Sequence, residues 1–297
     1  MNFTPSSARA SWTGSSRPND APMTAFRAAC IQVNAGTDLH ANIETAASLV
    51  RQARQRGADL VLMPENVAMI ELGREELLAK AAPAENHPAI AAFKSLARET
   101  GTWLHGGTLH IRLDDGRLAN RTYVFDPTGR TVAQYDKIHM FDVDLGNGEV
   151  YRESAAFRPG DEAKVVDLPW GRLGLSICYD VRFPQLYRAL GKAGADFICV
   201  PAAFTRTTGM AHWHVLLRAR AIETGCYVLA PAQCGEHAGG RQTYGHALIV
   251  SPWGEVLADG GEEPGVIAAE IDPSEVAAAR RKVPALSHDR EFASPAA

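Results

Sequence analysis

A cysteine in the second half of the chain is the first candidate for chemistry. Cys178 follows a largely apolar stretch, residues 171–177, that predicts a β-strand, and Pro184 shortly afterwards can begin a helix. A nucleophile at a strand-to-helix turn is exposed at the carboxyl edge of a sheet, where α/β proteins bind ligands. Most free cysteines are instead small buried hydrophobes, so the position of Cys178 alone leaves both interpretations open.

Two charged residues lie where a charge is costly unless it has a partner or a function. Glu65 follows the short apolar run 60–63, which predicts a buried strand, and a carboxylate at the end of that strand needs compensation. Lys137 occurs in the phrase Tyr-Asp-Lys-Ile-His, just after a predicted hairpin. A surface-loop glutamate and a solvated lysine are the alternative interpretations of these two positions.

Helix and strand patterns alternate along the chain and indicate an α/β fold. One helix pattern is capped by Asp38, and a second begins at Pro88 and stops at Gly101. The phrase Gly-Ala-Asp, an apolar run and a proline occurs at 57–64 and again at 194–201, and a hairpin turn with proline and glycine follows each copy. We interpret the pattern as two related αβ halves whose mixed sheets are covered by helices, which is a layered α/β sandwich.

Bulk composition narrows the classes of function. The chain has 297 residues and a formal net charge of −4, which argues against binding to nucleic acid or to an anionic membrane. Its 5 cysteines form no Cys-x-x-Cys pair, which favours a reducing cytoplasm over a disulfide framework. No apolar run reaches the roughly 18 residues of a membrane span. No glycine-rich phosphate loop occurs either, so nucleotide chemistry is not expected.

The two ends of the chain differ from the rest in composition. The first residues are rich in Ser, Arg, Pro and Ala and lack the apolar segment of a secretory signal. We expect residues 1–25 to be a disordered extension ahead of an internal start at Met23, with a transit-like segment as the alternative. Residues 26–292 are expected to form a single domain, and residues 293–297 a short tail.

Three segments together resemble the nitrilase, or carbon–nitrogen hydrolase, superfamily. They are Pro-Glu-Asn with Glu65, Tyr-Asp-Lys-Ile-His-Met-Phe-Asp with Lys137, and Ser-Ile-Cys-Tyr-Asp-Val-Arg-Phe-Pro-Gln-Leu-Tyr-Arg with Cys178. The resemblance covers residues 27–292. It implies a four-layer αββα sandwich and a homodimer or higher homo-oligomer. It also implies a Glu-Lys-Cys catalytic set joined by a second glutamate, Glu153.

The residue types in this set suit the hydrolysis of an amide. A thiolate attacks a carbonyl well but is scarce at neutral pH, so Glu65 would accept the Cys178 proton and return a proton to the departing amine. Lys137 and the backbone N–H of Tyr179 would stabilise the oxyanion, and Glu153 would hold Lys137. The scheme needs no metal and no cofactor, and the histidines show neither His-Glu-x-x-His nor zinc-ligand spacing.

The choice of amide depends on residues around this set. Arg182, four residues after Cys178, is a candidate for binding a substrate carboxylate, with a structural ion pair as the alternative. The family layout implies that Phe204 and Thr205 line the pocket. Residues 209–254 resemble the branch of deaminated glutathione amidases. That resemblance implies metabolite repair on a 2-oxoglutaramate unit attached to Cys-Gly, giving 2-oxoglutarate and cysteinylglycine.

Other interpretations stay open. The omega-amidase branch, which cleaves free 2-oxoglutaramate, and N-carbamoyl amino acid hydrolases share the same catalytic set. Residues 174–178 come close to the Gly-x-Ser-x-Gly elbow of serine hydrolases but end in cysteine. An inactive, thiol-sensing or binding-only protein is the alternative from a different class. The predicted helices at 212–224 and after Pro184 are candidate dimer faces, although core packing explains the same residues.

Overall fold

A computed structural model describes residues 24–71, 73–146 and 148–293. The extension predicted at 1–25 and the tail at 293–297 therefore lie almost entirely outside the described residues. The α-helices within these ranges are α1 (Leu39–Gln55), α2 (Arg74–Lys80), α3 (Pro88–Thr100), α4 (Pro184–Lys192), α5 (Arg206–Thr224) and α6 (Ser274–Lys282). The 3₁₀-helical turns are Ala84–Asn86, Glu153–Ala155, Cys178–Arg182, Ala238–Gly240 and Ala285–Ser287.

The strands within the same ranges are numbered in chain order. They are β1 (Phe26–Val33), β2 (Leu60–Leu62), β3 (Trp103–Arg112), β4 (Leu118–Phe125), β5 (Thr131–Asp136), β6 (Asp142–Asp144), β7 (Val150–Arg152), β8 (Lys164–Leu168), β9 (Gly171–Leu175), β10 (Phe197–Cys199), β11 (Tyr227–Ala230), β12 (Ala232–Glu236), β13 (Gln242–Tyr244), β14 (Leu248–Val250), β15 (Val256–Asp259) and β16 (Gly265–Ile271). Both predicted hairpin turns are confirmed, between β4 and β5 and between β14 and β15.

Local signals in the sequence begin and end the helices as predicted. The Asp38 carboxylate accepts the backbone N–H groups of His40 and Ala41 at the start of α1, the expected interaction of an N-cap. Helix α3 begins at Pro88, whose missing N–H costs nothing in the first turn. It ends at Gly101, whose positive φ of 64° suits the left-handed C-terminal cap.

The larger of two main sheets is built around β1. Its strand order is β13-β12-β1-β2-β3-β4-β5, and β16 also pairs with β1. Strand β1 runs parallel to β2 and β12 and antiparallel to β16. The smaller sheet has the order β15-β14-β11-β10-β9-β8, and its central strands β9, β10 and β11 are parallel. The two copies of the Gly-Ala-Asp phrase thus lead into β2 of one sheet and β10 of the other.

Alternation along β1 shows which layers lie on each side of the larger sheet, because successive strand residues face opposite sides. Ala28 and Cys30 pack in one core cluster with residues of the smaller sheet such as Leu173. Ala29 and Ile31 pack in a second cluster with α1 and α3. Helices α4 and α5 cover the other face of the smaller sheet. The predicted four-layer αββα sandwich is confirmed.

Surface features bear on the predicted assembly and location. In α5, Leu217 is buried in the core, while Met210, Val215 and Ile222 are exposed. The dimer face predicted on this helix and on α4 stays a prediction. Among the described residues, every helix is too short or too polar to cross a membrane. The cytoplasmic location stays a prediction as well.

A bulge in β3 at Gly106 and Gly107 holds the segment that carries Glu65. Gly107 has a φ of +60°, and a Cβ there would lie 2.3 Å from the carbonyl oxygen of Pro64 and 3.0 Å from Val67. We expect Gly107→Ala to lower the free energy of unfolding by about 3 kcal/mol or more, because it adds a backbone clash to an unfavourable φ. Denaturant unfolding measures the loss.

The matched control is Gly116→Ala in the β3–β4 hairpin. Gly116 also has a positive φ, +79°, but a Cβ there meets nothing within 4 Å. This variant isolates the conformational cost of the left-handed region, about 1 kcal/mol. Equal losses for the two variants would show that contact with the Pro64 carbonyl does not restrict Gly107.

Candidate active site

A cavity of about 240 Å³ opens where strands of both main sheets end. Its lining brings together the four residues of the predicted catalytic set, Glu65, Lys137, Glu153 and Cys178. Glu65 follows β2, Lys137 follows β5 directly, and Cys178 begins the 3₁₀ turn after β9. The fold therefore gathers four residues from separate segments of the sequence, and their catalytic roles stay predictions.

The centre of the site is a buried cluster of one cation and two anions. The Lys137 ammonium lies 3.0 Å from Glu65 Oε1 and 2.8 Å from Glu153 Oε2. The Lys137 side chain is only 2% exposed and that of Glu65 only 4%. Buried charges persist when each is paired and further hydrogen-bonded. This cluster meets both conditions.

Neutral groups complete the hydrogen bonds of the two carboxylates. The Asn120 side chain donates to Glu65 Oε1 at 2.9 Å, and the Ala203 backbone N–H donates to Glu65 Oε2 at 2.8 Å. The backbone N–H of Phe141 donates to Glu153 Oε2 at 2.6 Å. These donors hold both carboxylates in position relative to the ammonium, because each oxygen of Glu65 and Oε2 of Glu153 accept a hydrogen bond from them.

Burial and the neighbouring charges shift the pKa values of the groups in the cluster. Burial alone would raise the pKa of Glu65, but the charge of Lys137 and hydrogen bonds to the carboxylate hold that pKa below its usual value. Burial opposes the charge of Lys137, but the carboxylates of Glu153 and Glu65 raise its pKa above the usual value. Burial, followed by the charge of Glu65, raises the pKa of the Cys178 thiol well above 9.0. These pKa shifts favour an ionised Glu65, a charged Lys137 and a protonated Cys178 thiol at rest.

Cys178 occupies a strained turn that faces the cavity. Its φ is +47°, which is unfavourable for a residue with a side chain, and its N–H donates to the Pro201 carbonyl at 2.9 Å. Tyr179 follows in the first turn of the 3₁₀ segment, where backbone N–H groups lack intrahelical partners. Such an N–H beside Cys178 suits the binding of an oxyanion, and the predicted role of Tyr179 stays a prediction.

Asp180 holds this turn in place. Its buried carboxylate accepts from the Tyr135 hydroxyl at 2.7 Å, from the Ile177 N–H at 2.9 Å and from the His139 N–H at 3.0 Å. The His139 ring Nδ1 lies 2.7 Å from the same carboxylate. Asp180 thereby ties the cysteine turn to the segment that carries Lys137.

The predicted substrate-binding residues differ in position. Phe204 and Thr205 line the cavity, whereas Arg182 is not part of its lining. The Arg182 guanidinium lies 5.2 Å from the Phe204 ring centre and 5.9 Å from that of Tyr179. Arg182 thus packs against two rings of the cavity lining without being part of that lining, and its carboxylate-binding role stays a prediction.

Sequence reasoning missed several residues of the site. Asn120 is buried and donates to Glu65 and Glu153, Asp180 is buried and bonds residues next to Lys137 and Cys178, and Arg241 lines the cavity. The position of Asp180, two residues after the cysteine, was an available signal. Arg241 and the Ala203 N–H gave no local signal, because only tertiary folding places them at the cavity.

A separate histidine cluster lies outside this cavity. Among the described residues, His214, His246 and Asp259 form the one group whose side chains could together hold a metal ion. Asp259 already bonds His214 Nε2 at 3.0 Å and His246 Nδ1 at 2.8 Å. That the reaction needs no metal ion stays a prediction.

Comparisons with known proteins agree with this architecture. The model of the carbon-nitrogen hydrolase family matches residues 27–281. A deaminated glutathione amidase of Synechocystis sp. is 43% identical over 275 residues, which are 90% of this chain and 98% of that protein. The deaminated glutathione amidase of Homo sapiens is 41% identical over 267 residues, which are 88% of this chain and 81% of that protein.

A solved crystal structure has a similar fold. The crystal structure of the C. elegans NitFhit protein superimposes with a TM-score of 0.84 at 39% sequence identity. The superposition covers 91% of this chain and 66% of that chain. The chain belongs to the carbon–nitrogen hydrolase family of the nitrilase superfamily. It is accordingly an amidase that acts on carbon–nitrogen bonds other than peptide bonds.

The carboxylate of Asp180 can be tested as the support of the cysteine turn. Asp180→Asn keeps the side-chain shape but places an amide N–H₂ against groups that are themselves donors. We expect the free energy of unfolding to fall by about 2–4 kcal/mol, because a buried charged hydrogen-bond acceptor is lost. We also expect lower kcat/KM and slower alkylation of Cys178 by iodoacetamide in the folded variant.

Tyr135→Phe is the matched control, since it removes only one of the hydrogen bonds to Asp180. It should cost about 1 kcal/mol and leave alkylation near the wild-type rate. If Asp180→Asn lost stability but kept kcat/KM and the alkylation rate, Asp180 would support the fold without orienting Cys178.

Proposed function

We propose that this amidase hydrolyses deaminated glutathione to 2-oxoglutarate and cysteinylglycine, with Cys178 as the nucleophile. The buried contact of Lys137 with Glu65 and Glu153, beside a cavity-lining thiol, carries the proposal for the chemistry. The names of the relatives from Synechocystis and Homo sapiens support the choice of substrate. A cavity of about 240 Å³ suits a small amide.

The first half of the reaction forms a thioester. The Cys178 sulfur attacks the amide carbon while its proton moves to Glu65, so the thiolate develops only during attack. Lys137 and the Tyr179 N–H stabilise the oxyanion, and one such donor is typically worth about 3–4 kcal/mol of barrier. The carbon–nitrogen bond then breaks as Glu65 returns the proton to the departing amine.

The second half regenerates the enzyme. A water molecule attacks the thioester carbon and gives one proton to Glu65, which then passes the proton to the sulfur as the acid product leaves. Glu153 keeps Lys137 in position and charged throughout. The scheme fits the resting state of the site, in which Glu65 is ionised and Cys178 is protonated. It uses only groups that line the cavity.

The substrate assignment is tested by a panel of amides. Purified protein is assayed with deaminated glutathione, 2-oxoglutaramate and N-carbamoyl amino acids, alongside Cys178→Ala. We expect the highest kcat/KM for deaminated glutathione and a loss of at least about 10⁴-fold on removal of the nucleophile. Cys199→Ala is the control, because Cys199 is a buried cysteine outside the cavity lining.

Each outcome of this panel has a distinct meaning. A higher kcat/KM for 2-oxoglutaramate would support the omega-amidase alternative and reject the proposed substrate. Full activity in Cys178→Ala would reject the thioester mechanism on any substrate. Turnover of none of the amides would favour the inactive or thiol-sensing alternative.

The pH dependence of kcat/KM tests the assignment of the base. Glu65 must be ionised to accept the thiol proton, and its pKa is held below 4.5. Activity should therefore stay level as the pH falls from 7 to about 5 and decline only at lower pH, where Glu65 gains a proton. A rise in kcat/KM with a midpoint between about pH 6 and 9 would show that a free thiolate, or a base with a raised pKa, controls attack.

A further inference from the structure

Arg241 lies where the active-site cavity meets a groove on the surface. It follows the 3₁₀ turn Ala238–Gly240 and lines both the cavity and the adjoining groove, as Tyr151 does. Its Nη2 donates to the Ala203 carbonyl at 2.8 Å, and its guanidinium carbon lies 5.5 Å from the centre of the Tyr151 ring. A hydrogen bond and a cation–π contact thus hold the guanidinium at the mouth of the cavity.

Among the described residues, no carboxylate forms an ion pair with Arg241. Within the described part of the chain, Nη2 is the one guanidinium nitrogen with a hydrogen-bond acceptor, and the buried Nε has none. The carboxylate of Glu149 in the same groove is bonded instead by the hydroxyls of Tyr151 and Thr207. Lys137 differs, because two carboxylates already surround it. A buried donor without a partner is costly unless a ligand supplies the acceptor.

The contacts of Ala203 place Arg241 close to Glu65. The Ala203 N–H donates to Glu65 Oε2 at 2.8 Å, while the carbonyl of the same residue accepts from Arg241. Two hydrogen bonds and one residue separate the carboxylate from the guanidinium, so they are no more than about 9 Å apart. Glu65 is the acid that protonates the departing amine in the proposed mechanism. Arg241 therefore lies within reach of a group attached to the amine that Glu65 protonates.

We propose that Arg241 binds a carboxylate of the leaving group. The enzyme would thereby select amides of amino acids or dipeptides over primary amides that release ammonia. In an extended dipeptide the amine and the carboxylate lie about 7 Å apart, a span that reaches from Glu65 to Arg241. The inference rests on the proposed function and specifies how one end of that substrate is recognised.

The experiment compares deaminated glutathione with its C-terminal amide, which differs only in the charge of the leaving group. Wild-type enzyme should favour the free acid by about 10- to 100-fold in kcat/KM, the size expected of a charge-assisted hydrogen bond. Arg241→Gln should remove most of that preference, mainly by raising KM for the acid. Arg241→Lys, which keeps the charge but loses the planar fork, should lie between the two.

Arg206→Gln is the matched control. Arg206 lines the groove but not the cavity, and its guanidinium is paired with Glu262. This variant should keep the wild-type preference for the free acid. Unfolding midpoints for all variants establish that each is folded at the assay temperature.

Four results would overturn the proposal or part of it. If Arg241→Gln lowered kcat/KM equally for the acid and the amide, Arg241 would serve only the shape of the cavity. If Arg206→Gln removed the preference as well, the general charge of the groove would be responsible. If Arg241→Gln kept the full wild-type preference for deaminated glutathione over its C-terminal amide, the role of Arg241 would be rejected, but the proposed substrate would stand. A wild-type enzyme that preferred 2-oxoglutaramate would reject both the substrate and the role of Arg241.

Discussion

The buried ion cluster of Lys137, Glu65 and Glu153 is the interaction on which the site depends. Moving three charges out of water costs several kcal/mol for each ion, and attraction repays this only with close geometry and full hydrogen bonding. The distances of 2.8–3.0 Å from the ammonium to the two carboxylates meet that demand. Donors from Asn120 and from the Ala203 backbone satisfy the remaining oxygens of Glu65. Loss of Lys137 would leave two carboxylates close together without a counter-charge, whereas loss of either glutamate would leave Lys137 with one carboxylate partner.

The excess of negative charge in this cluster decides how the thiol is used. One ammonium and two carboxylates leave a net charge of about −1 beside Cys178, which disfavours a resting thiolate. In the proposed mechanism the sulfur therefore stays protonated until a carbonyl is within reach, and the proton moves to Glu65 as the new bond forms. A resting thiol is also less open to adventitious oxidation than a thiolate would be. The cluster thus couples the nucleophilicity of Cys178 to the arrival of substrate.

The sequence predicted those parts of the molecule that have local causes. The capping by Asp38, the start of α3 at Pro88 and the hairpin turns follow from backbone chemistry within a few residues, and all are observed. The strand predicted at 171–177 ends earlier, at Leu175, because the chain turns toward Cys178. The layers of the sandwich came from the repeated αβ pattern and from the resemblance to a family.

Prediction was weakest where a role depends on tertiary contacts. Arg182 was chosen because it follows Cys178 closely in sequence, and it packs against the cavity-lining rings of Tyr179 and Phe204 without lining the cavity itself, so its role stays a prediction. Asp180 stands in the same short segment and bonds to three other residues, which only the packed structure displays. Arg241 reaches the cavity from a segment that is remote from the catalytic set in sequence. Proximity in sequence was therefore a poor guide to proximity in the cavity.

The residues of the predicted catalytic set and the residues at the mouth of the cavity come from different parts of the fold. Glu65 and Cys178 follow buried central strands, and any shift in those strands would disturb the ion cluster. Arg241 and Tyr151 come instead from short peripheral segments at the mouth of the cavity. Such segments tolerate substitution more readily than strand ends buried between two sheets. Under the proposed role of Arg241, one buried cluster can therefore serve amides with different leaving groups, because a substitution at this position can change the contact with the leaving group without loss of the buried charges.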